Sequence, residues 1–321
     1  GSQKSAVDIA AEVSRVNGPQ YPCTLVYKTA HWMFPGWLAT FTFLFLNRFY
    51  ELMIHKPGEG FLSWLLALLL APLLWIFSKL LEAVLMLMYP LRRYGLKPDH
   101  GFFHQQSSCV FLTILPRGFF AGVRRGSLAL RRFSRGFRFC GDGLVLDGAG
   151  EAVAADVVIF GTGFRGDDKI RNLFASTRLQ KCFAASSAPF YRDCIHPRIP
   201  QLAILGYSDS ASVLFATEVR SKWVAGLLGG GFRLPPVREM EEEAARWEAC
   251  MRGYAGDRYR RSCASVLLQI HLQDQLCRDL GCSPARKKWF LPELFASYRP
   301  SDYANLTPPR RAPSGAQRTD S

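Results

Sequence analysis

A run of eighteen residues without a charged side chain, Phe61 to Ser78, constrains the fold of this chain more than any other segment. Apolar residues continue beyond it, past two charged positions, to Met88. A helix needs about 20 predominantly apolar residues to cross a bilayer, and the run approaches that length. Because Pro72 interrupts the run, we predict a pair of hydrophobic helices that cover a ligand site or lie on a membrane surface. A single membrane-spanning helix is the alternative.

The first six residues, GSQKSA, have the form of a glycine-rich turn that binds dinucleotides. Gly1, Gln3 and Ala6 stand at the three small-residue positions of the pattern G-x-G-x-x-G/A. Apolar residues then recur at helical spacing, which predicts a helix that Asn17-Gly18 ends. A strand normally precedes such a turn, so we expect the chain to begin inside a domain.

The next apolar stretch, Thr24 to Tyr27, predicts the second strand of the same unit, and it ends at Lys28 and Thr29. In a dinucleotide-binding unit the end of this strand lies by the adenosine ribose. An acidic residue there favours NAD, whereas a cation accommodates the extra phosphate of NADP. Lys28 therefore favours NADP, and an exposed lysine at a strand end explains the residue equally well.

Arginine is frequent between residues 117 and 138, and the formal net charge of +14 indicates attraction to phosphates, anionic lipid or nucleic acid. The stretches SLALRRF and FRFCGDGLVLD alternate like strands around a tight turn at residues 141–143. We therefore predict a β-ribbon with solvated arginines, and no nucleic acid partner, since no nucleic-acid-binding module is recognisable.

A continuous apolar run from Val157 to Phe160 predicts a buried parallel strand. The strand would end at Gly161-Thr162-Gly163, where small residues allow a phosphate or another chain segment to approach the backbone. A plain tight turn explains these three residues equally well.

The last third of the chain predicts one more buried strand and two helices. The strand is IPQLAILGYSD, and the helices are FATEVRSKWVAGLLGG and the amphipathic PVREMEEEAARWEACM. The nine cysteines include no C-x-x-C pair, which indicates free thiols in a reducing compartment and no metal site. From Ser301 the chain is rich in Pro, Ser, Ala and Arg, which predicts a disordered tail over 301–321.

Taken in order, GSQKSA, YKTAHW, DVVIFGTGF and CIHPRIPQLAILGY resemble the flavin-containing monooxygenases of the plant type, from Gly1 to about Tyr303. The resemblance implies an α/β fold, an incomplete flavoprotein with two dinucleotide-binding domains. A Rossmann-like NADPH domain would cover residues 1–160, with a hydrophobic helical insertion at about 36–95. The C-terminal part of an FAD domain would cover 161–300, and the first half of that domain would precede Gly1.

The resemblance also implies the cofactors FAD and NADP, with O2 and a small molecule bearing a nucleophilic nitrogen or sulfur as reactants. It places cofactor-binding residues at Gly1, Ser2, Lys4, Ser5, Ala6, Lys28, Thr29, Gly161, Thr162 and Gly163. The helix near the flavin would contain Glu218 to Trp223, where Arg220 and Lys222 depart from the family's Glu-x-Gln-x-Arg-Trp pattern. No catalytic side chain is identified, because the cofactor performs the difficult chemistry.

Three other interpretations stay open. The first is a truncated, inactive homologue. The second is a non-catalytic protein of a membrane surface, built around residues 61–88. The third is another flavoenzyme with two dinucleotide sites, such as a Baeyer–Villiger-type oxygenase. The expected location is the cytoplasm, with peripheral contact to the endoplasmic reticulum through 61–88.

Overall fold

Helices and short strands alternate in the computed structural model, which describes residues 1–108, 113–147, 152–163, 170–183, 190–210, 212–263 and 265–306. The chain divides into two units. Unit 1 comprises Gly1–Thr42, Trp75–Gln106 and Val110–Phe174, and unit 2 comprises Phe43–Leu74, Ser107–Cys109 and Ala175–Ser321. The mixture of helix and strand confirms an α/β protein. The two units are not consecutive segments of the chain, and the residues of the predicted insertion at about 36–95 are divided between them.

Unit 1 begins with helix α1, Lys4–Asn17, which packs on strand β1, Cys23–Tyr27. Strand β1 runs parallel to β4, Leu128–Arg132, in register from Cys23 opposite Leu128 to Tyr27 opposite Arg132. Gly18 ends α1 with a φ of 68°, a left-handed conformation that glycine adopts without steric cost. The helix, its end and strand β1 are where the sequence predicts them.

The remaining described elements of unit 1 are short. They are β2, Met33–Phe34; α2, Gly36–Thr42; α5, Phe102–Ser107 (its last residue in unit 2); β3, Thr113–Ile114; α6, Phe119–Arg125; β5, Phe137–Cys140; β6, Gly143–Leu146; and β7, Ala152–Ala154. Strands β2 and β3 are parallel, and β5, β6 and β7 form an antiparallel sheet. The predicted ribbon and its tight turn are confirmed for β5 and β6. The stretch SLALRRF is a strand too, but it pairs with β1 instead.

Helix α4, Phe61–Met88, is one continuous helix of 28 residues, so the prediction of two separate helices is wrong. Pro72 lies inside it. Proline removes one backbone donor and clashes with the preceding turn, but Leu- and Ala-rich flanks on both sides favour helix strongly enough to continue through it. A 3-10 turn at Phe43–Phe45 and helix α3, Arg48–Leu52, precede α4.

Unit 2 is built mainly from helices around a second core. Its elements are α7, Thr177–Cys182; β8, Ile195–His196; β9, Ile199–Ala203; α8, Val213–Leu228; α9, Val237–Ala255; α10, Gln269–Asp279; α11, Phe290–Phe295; and 3-10 turns at Gly256–Arg258, Arg261–Cys263 and Pro300–Tyr303. Core residues include Tyr191, Phe215, Trp223, Met240 and Ile270. Helices α8 and α9 confirm the two predicted helices. Strand β9 is partly exposed rather than buried, because it lies in a two-stranded antiparallel pair with β8.

Three further expectations need correction. Residues Val157–Phe160 form no strand and are exposed, since no described strand pairs with them to cover their side chains. Residues 301–306 are ordered, with Tyr303 and Leu306 buried in the second core, so a disordered tail cannot begin at Ser301. Cys263 is disulfide-bonded, whereas Cys23, Cys140, Cys182, Cys194, Cys250 and Cys277 carry free thiols.

Candidate functional site

The start of α1 is the centre of the site that the sequence predicts. Gln3 stands at the N-cap in an extended conformation, and its side chain does not cap the helix. The first turn contains no acidic residue. The first N–H groups of a helix have no partner within it, and the helix dipole adds partial positive charge there. This helix start is therefore suited to an anion such as a phosphate.

The three small residues Gly1, Ala6 and Gly161 lie in direct contact at this helix start. A Cβ added to Gly1 would collide with the carbonyl oxygen of Gly161, and a Cβ added to Gly161 would lie 2.8 Å from the Cβ of Ala6. Larger side chains would force the backbones apart. The structure therefore places Gly161 against the dinucleotide turn, a contact between residues 160 positions apart that sequence spacing does not reveal.

Hydrogen bonds join the same turn to the end of β1. The amino group of Gly1 donates to the carbonyl oxygen of Val26 at 2.8 Å, and the Ser2 hydroxyl donates to the carbonyl oxygen of Thr29. Ser2 is buried, so this hydroxyl braces the turn rather than facing solvent. Lys28, at the strand end, is exposed, and its carbonyl oxygen accepts a bond of 3.3 Å from Arg132 Nε.

Lys4 and Ser5, two of the predicted phosphate contacts, lie at the protein surface rather than in the small-residue contact. Lys4 is exposed and forms an ion pair with Asp8, one turn along α1, so its charge is partly neutralised. Ser5 is exposed at the helix start.

Thr162 and Gly163 are exposed, and Gly163 has a φ of 84°, which a residue with a Cβ adopts at a cost.

The structure thus brings together Gly1, Ser2, Ala6, Thr29 and Gly161, and leaves Lys4, Ser5, Lys28, Thr162 and Gly163 at the adjoining surface. These residues fit a dinucleotide, because the helix start is uncapped, small residues lie in contact at it, and an exposed lysine follows the neighbouring strand. The spacing Gly161-x-Gly163-x-x-Gly166 also repeats the glycine pattern, which the expectation of a plain tight turn overlooked. Phe164 and Gly166 lie outside the described residues.

The segment expected near the flavin, Glu218 to Trp223, lies within α8 of unit 2. Glu218 pairs with Lys222 at 2.9 Å on the helix surface. Trp223 is fully buried, and its Nε1 donates to Asp279 at 3.0 Å. Trp223 is therefore a core residue that joins two helices.

Unit 2 also contains an open depression of about 450 Å³. It is lined by Pro57, Gly58, Arg192, Glu243, Arg246, Trp247, Gln275, Arg278 and Asp279. The Arg192 guanidinium pairs with Glu243 and Asp279, so its charge is already balanced. Within the described ranges, no three His, Cys, Asp or Glu side chains are placed to hold a metal ion.

No family model matches the sequence. A probable flavin-containing monooxygenase 1 of Arabidopsis thaliana is 33% identical over 309 residues, which is 94% of this chain and 57% of the relative. A putative flavin-containing monooxygenase 2 of the same plant is 29% identical over 288 residues, 88% of this chain and 54% of the relative. An FAD-dependent monooxygenase of Alternaria brassicicola is 35% identical over 101 residues, 32% of this chain and 17% of the relative.

The chain spans about half the length of the two Arabidopsis relatives. The two similarities cover 94% and 88% of it. The chain is therefore similar, over most of its length, to flavin-containing monooxygenases of Arabidopsis thaliana.

Proposed function

We propose that the chain functions in an NADPH- and FAD-dependent monooxygenase that oxygenates a nucleophilic nitrogen or sulfur atom of a small molecule. The observation that carries the proposal is the contact of Gly1, Ala6 and Gly161 at the uncapped start of α1. The similarity to flavin-containing monooxygenases over 94% of the chain supports the choice of cofactors. The arrangement of two dinucleotide-binding domains, over about 1–160 and 161–300, belongs to the same proposal.

The residues of unit 1 bind and orient NADPH in this proposal. The N–H groups at the start of α1, with Ser5, hold the pyrophosphate, and the contact of Gly161 with Gly1 and Ala6 fixes the position of the turn. Lys28 carries the charge opposite the ribose phosphate. FAD, when bound, would supply the hydride acceptor and the activation of O2, and the start of α1 and Lys28 would bind and orient the nicotinamide nucleotide.

Lys28→Glu tests this assignment. Reversing the charge opposite the extra phosphate is expected to weaken NADP+ binding by about tenfold, on the order of 1–2 kcal/mol. Binding of NAD+, which lacks that phosphate, is expected to change less than about threefold. Isothermal titration of the purified chain with each nucleotide measures both values.

Lys288→Glu is the matched control, because Lys288 is equally exposed, lies in unit 2 and changes the net charge by the same amount. Equal weakening of NADP+ binding by the two variants would show a general charge effect. Tight NAD+ binding with no preference for NADP+ in the unaltered chain would contradict the role of Lys28.

Helix α4 supports a second part of the proposal, a peripheral contact with a lipid bilayer, at the endoplasmic reticulum surface of the cytoplasm. Its buried residues Ala67, Leu74, Ser78, Glu82 and Leu85 recur at intervals of three, four and seven, so they form one stripe along the helix. Its exposed side chains are apolar over about 42 Å of helix, except for Lys79, which pairs with Glu82 at 2.8 Å. Exposed large side chains there include Leu62, Leu69, Leu73, Trp75, Ile76, Leu80 and Leu87.

A helix packed on one side and apolar on the other suits the surface of a bilayer better than its interior. A soluble core helix is mostly buried, whereas only 17% of the most apolar part of α4 is buried. The chain continues from the helix with exposed Arg92, Arg93 and Lys97, whose charges match anionic headgroups.

Flotation with vesicles tests this contact. Leu73→Glu with Leu80→Glu places two charges on the exposed face and is expected to reduce binding to phosphatidylcholine–phosphatidylserine vesicles by about 100-fold, since each leucine loses ~1.5–3 kcal/mol of burial. The matched control is Leu214→Glu with Leu228→Glu, two exposed leucines of α8. Failure of the unaltered chain to float, or equal loss in both variants, would contradict the lipid contact.

A further inference from the structure

Two arginines of unit 2, Arg246 on α9 and Arg278 on α10, line the same open depression of about 450 Å³. Both residues are exposed. Neither forms an ion pair with another residue in the described part of the chain. Cavities of about 300–1,000 Å³ typically hold small molecules, so the volume suits a small organic ligand.

The carboxylates nearest to Arg246 along α9 are already used by other arginines. Residues three and four positions apart are neighbours on a helix, so Glu242 and Glu243 are the local candidates to pair with Arg246. Glu242 pairs with Arg238 at 2.8 Å, and Glu243 pairs with Arg192. Arg246 therefore lines the depression without a carboxylate partner from its own helix.

The carboxylates nearest to Arg278 on α10 are used in the same way. Asp274, one turn earlier, accepts two bonds from Arg48 at 2.5 and 2.8 Å. Asp279, the next residue, accepts two bonds from Arg192 at 2.8 and 3.0 Å. The guanidinium of Arg278 therefore keeps its charge and its donors for a ligand.

Arg192 is a fixed part of the wall between these two arginines and the core. Its side chain is 8% exposed, and it is held by Glu243 and Asp279. Its φ of 53° is an unfavourable conformation for a residue with a Cβ, and such conformations concentrate at functional sites. The lining contains three arginines and two carboxylates, so its net charge is +1, and the charge that is not paired lies on Arg246 and Arg278.

We propose that this depression binds the phosphate group of a small molecule between Arg246 and Arg278. A guanidinium can donate two parallel hydrogen bonds to a phosphate, and two unpaired guanidinium groups match the charge of about −1.5 to −2 that a phosphate monoester carries at pH 7. The inference does not rest on the proposed nicotinamide or flavin sites, because every lining residue belongs to unit 2 and none is assigned to those cofactors.

Arg246→Gln and Arg278→Gln test the site, since each removes one charge and keeps a polar side chain. Each variant is expected to weaken binding of inorganic phosphate by about tenfold, as expected for the loss of charge-assisted hydrogen bonds. Isothermal titration of the whole chain at low ionic strength measures the affinity. The urea midpoint of both variants is expected to stay unchanged, because both arginines are exposed and unpaired among the described residues.

Arg238→Gln is the matched control. It removes the same charge from the same helix, but Arg238 does not line the depression. Its affinity for phosphate is expected to equal that of the unaltered chain. Equal weakening by Arg238→Gln and Arg246→Gln would show a general charge effect and overturn the site.

Glu243→Gln is expected to act in the opposite direction. It removes a negative charge from the lining and keeps an acceptor oxygen for Arg192, so phosphate is expected to bind about threefold more tightly. Glu242→Gln, one residue away and outside the lining, is expected to leave the affinity unchanged. Weaker binding in Glu243→Gln would contradict an anion site in this depression.

A free phosphate compound and a phospholipid headgroup could both supply the phosphate, and a second probe separates these sources. Flotation compares phosphatidylcholine vesicles with and without phosphatidic acid, using the unaltered chain and the variant that carries both Arg246→Gln and Arg278→Gln. If only the binding of inorganic phosphate depends on the two arginines, the source is a free phosphate compound. If the flotation gained with phosphatidic acid depends on them, the headgroup is a source. If neither probe depends on them, the site is overturned.

Discussion

At the scale of single residues, burial decides which side chains the site can use. The sequence selects Lys4 and Ser2 by their position in the glycine-rich turn, and position alone treats them alike. In the folded chain Ser2 is buried and bonded to Thr29, whereas Lys4 is exposed and paired with Asp8. Arg220 departs from the family's pattern, and the fold buries it against Asp193 at 2.9 Å. The Ser2 bond joins residues 27 positions apart, so local spacing does not reveal it, whereas the Lys4–Asp8 pair is a local contact along α1.

His271 gives a prediction at the same scale. Burial lowers its pKa to about 4, and the nearby cations Lys56, Arg278, Arg192 and Arg48 act in the same direction. A base with a lowered pKa in the folded state stabilises the fold above its unfolded pKa of about 6.5, and that stability is lost as the pH falls towards 4. His271→Gln cannot protonate, so the unaltered chain is expected to lose up to about 3 kcal/mol more than the variant between pH 7 and pH 4.

Urea unfolding at each pH measures this difference. The comparison with the variant is needed because burial raises the pKa of Glu51 to about 8, and a raised carboxyl pKa changes stability in the opposite sense. Parallel curves for the two proteins across this range would show that folding does not lower the pKa of His271.

At the scale of elements, apolar spacing predicted the main helices correctly, but it did not predict which strands pair with each other. Helices α1, α8 and α9 follow from apolar spacing and glycine ends. The stretch Leu128–Arg132 is a strand as predicted, but its partner is β1 rather than the following strand. The run Val157–Phe160 is apolar enough for a buried strand, yet it is exposed because no described strand pairs with it. Helix α4 continues through Pro72, since the helical preference of its flanks outweighs one lost donor.

Arg48 gives a prediction at this scale, because it joins three helices. From α3 it forms a bidentate pair with Asp274 of α10, and it also bonds to Glu293 of α11 at 2.6 Å. Arg48→Met would leave the Asp274 carboxylate buried without its partner. We expect the free energy of unfolding to fall by about 3–5 kcal/mol, measured by urea unfolding.

Arg238→Met is the comparison for Arg48. The Arg238 pair with Glu242 is exposed, so its loss is expected to change stability by less than about 1 kcal/mol. A similarly small change in Arg48→Met would show that the network around Asp274 is not a stabilising junction.

At the scale of the whole molecule, the sequence by itself determined the α/β class, the glycine-rich turn, the main helices and the relation to plant flavin-containing monooxygenases. These features depend on local preference and on spacing along the chain, which a sequence displays directly. The tertiary structure alone decided the contact of Gly161 with Gly1 and Ala6, the exposure of one side of α4 and the burial of Arg220 against Asp193. Each of these depends on which distant residues share a neighbourhood, and packing brings such residues together without leaving a periodic trace in the sequence.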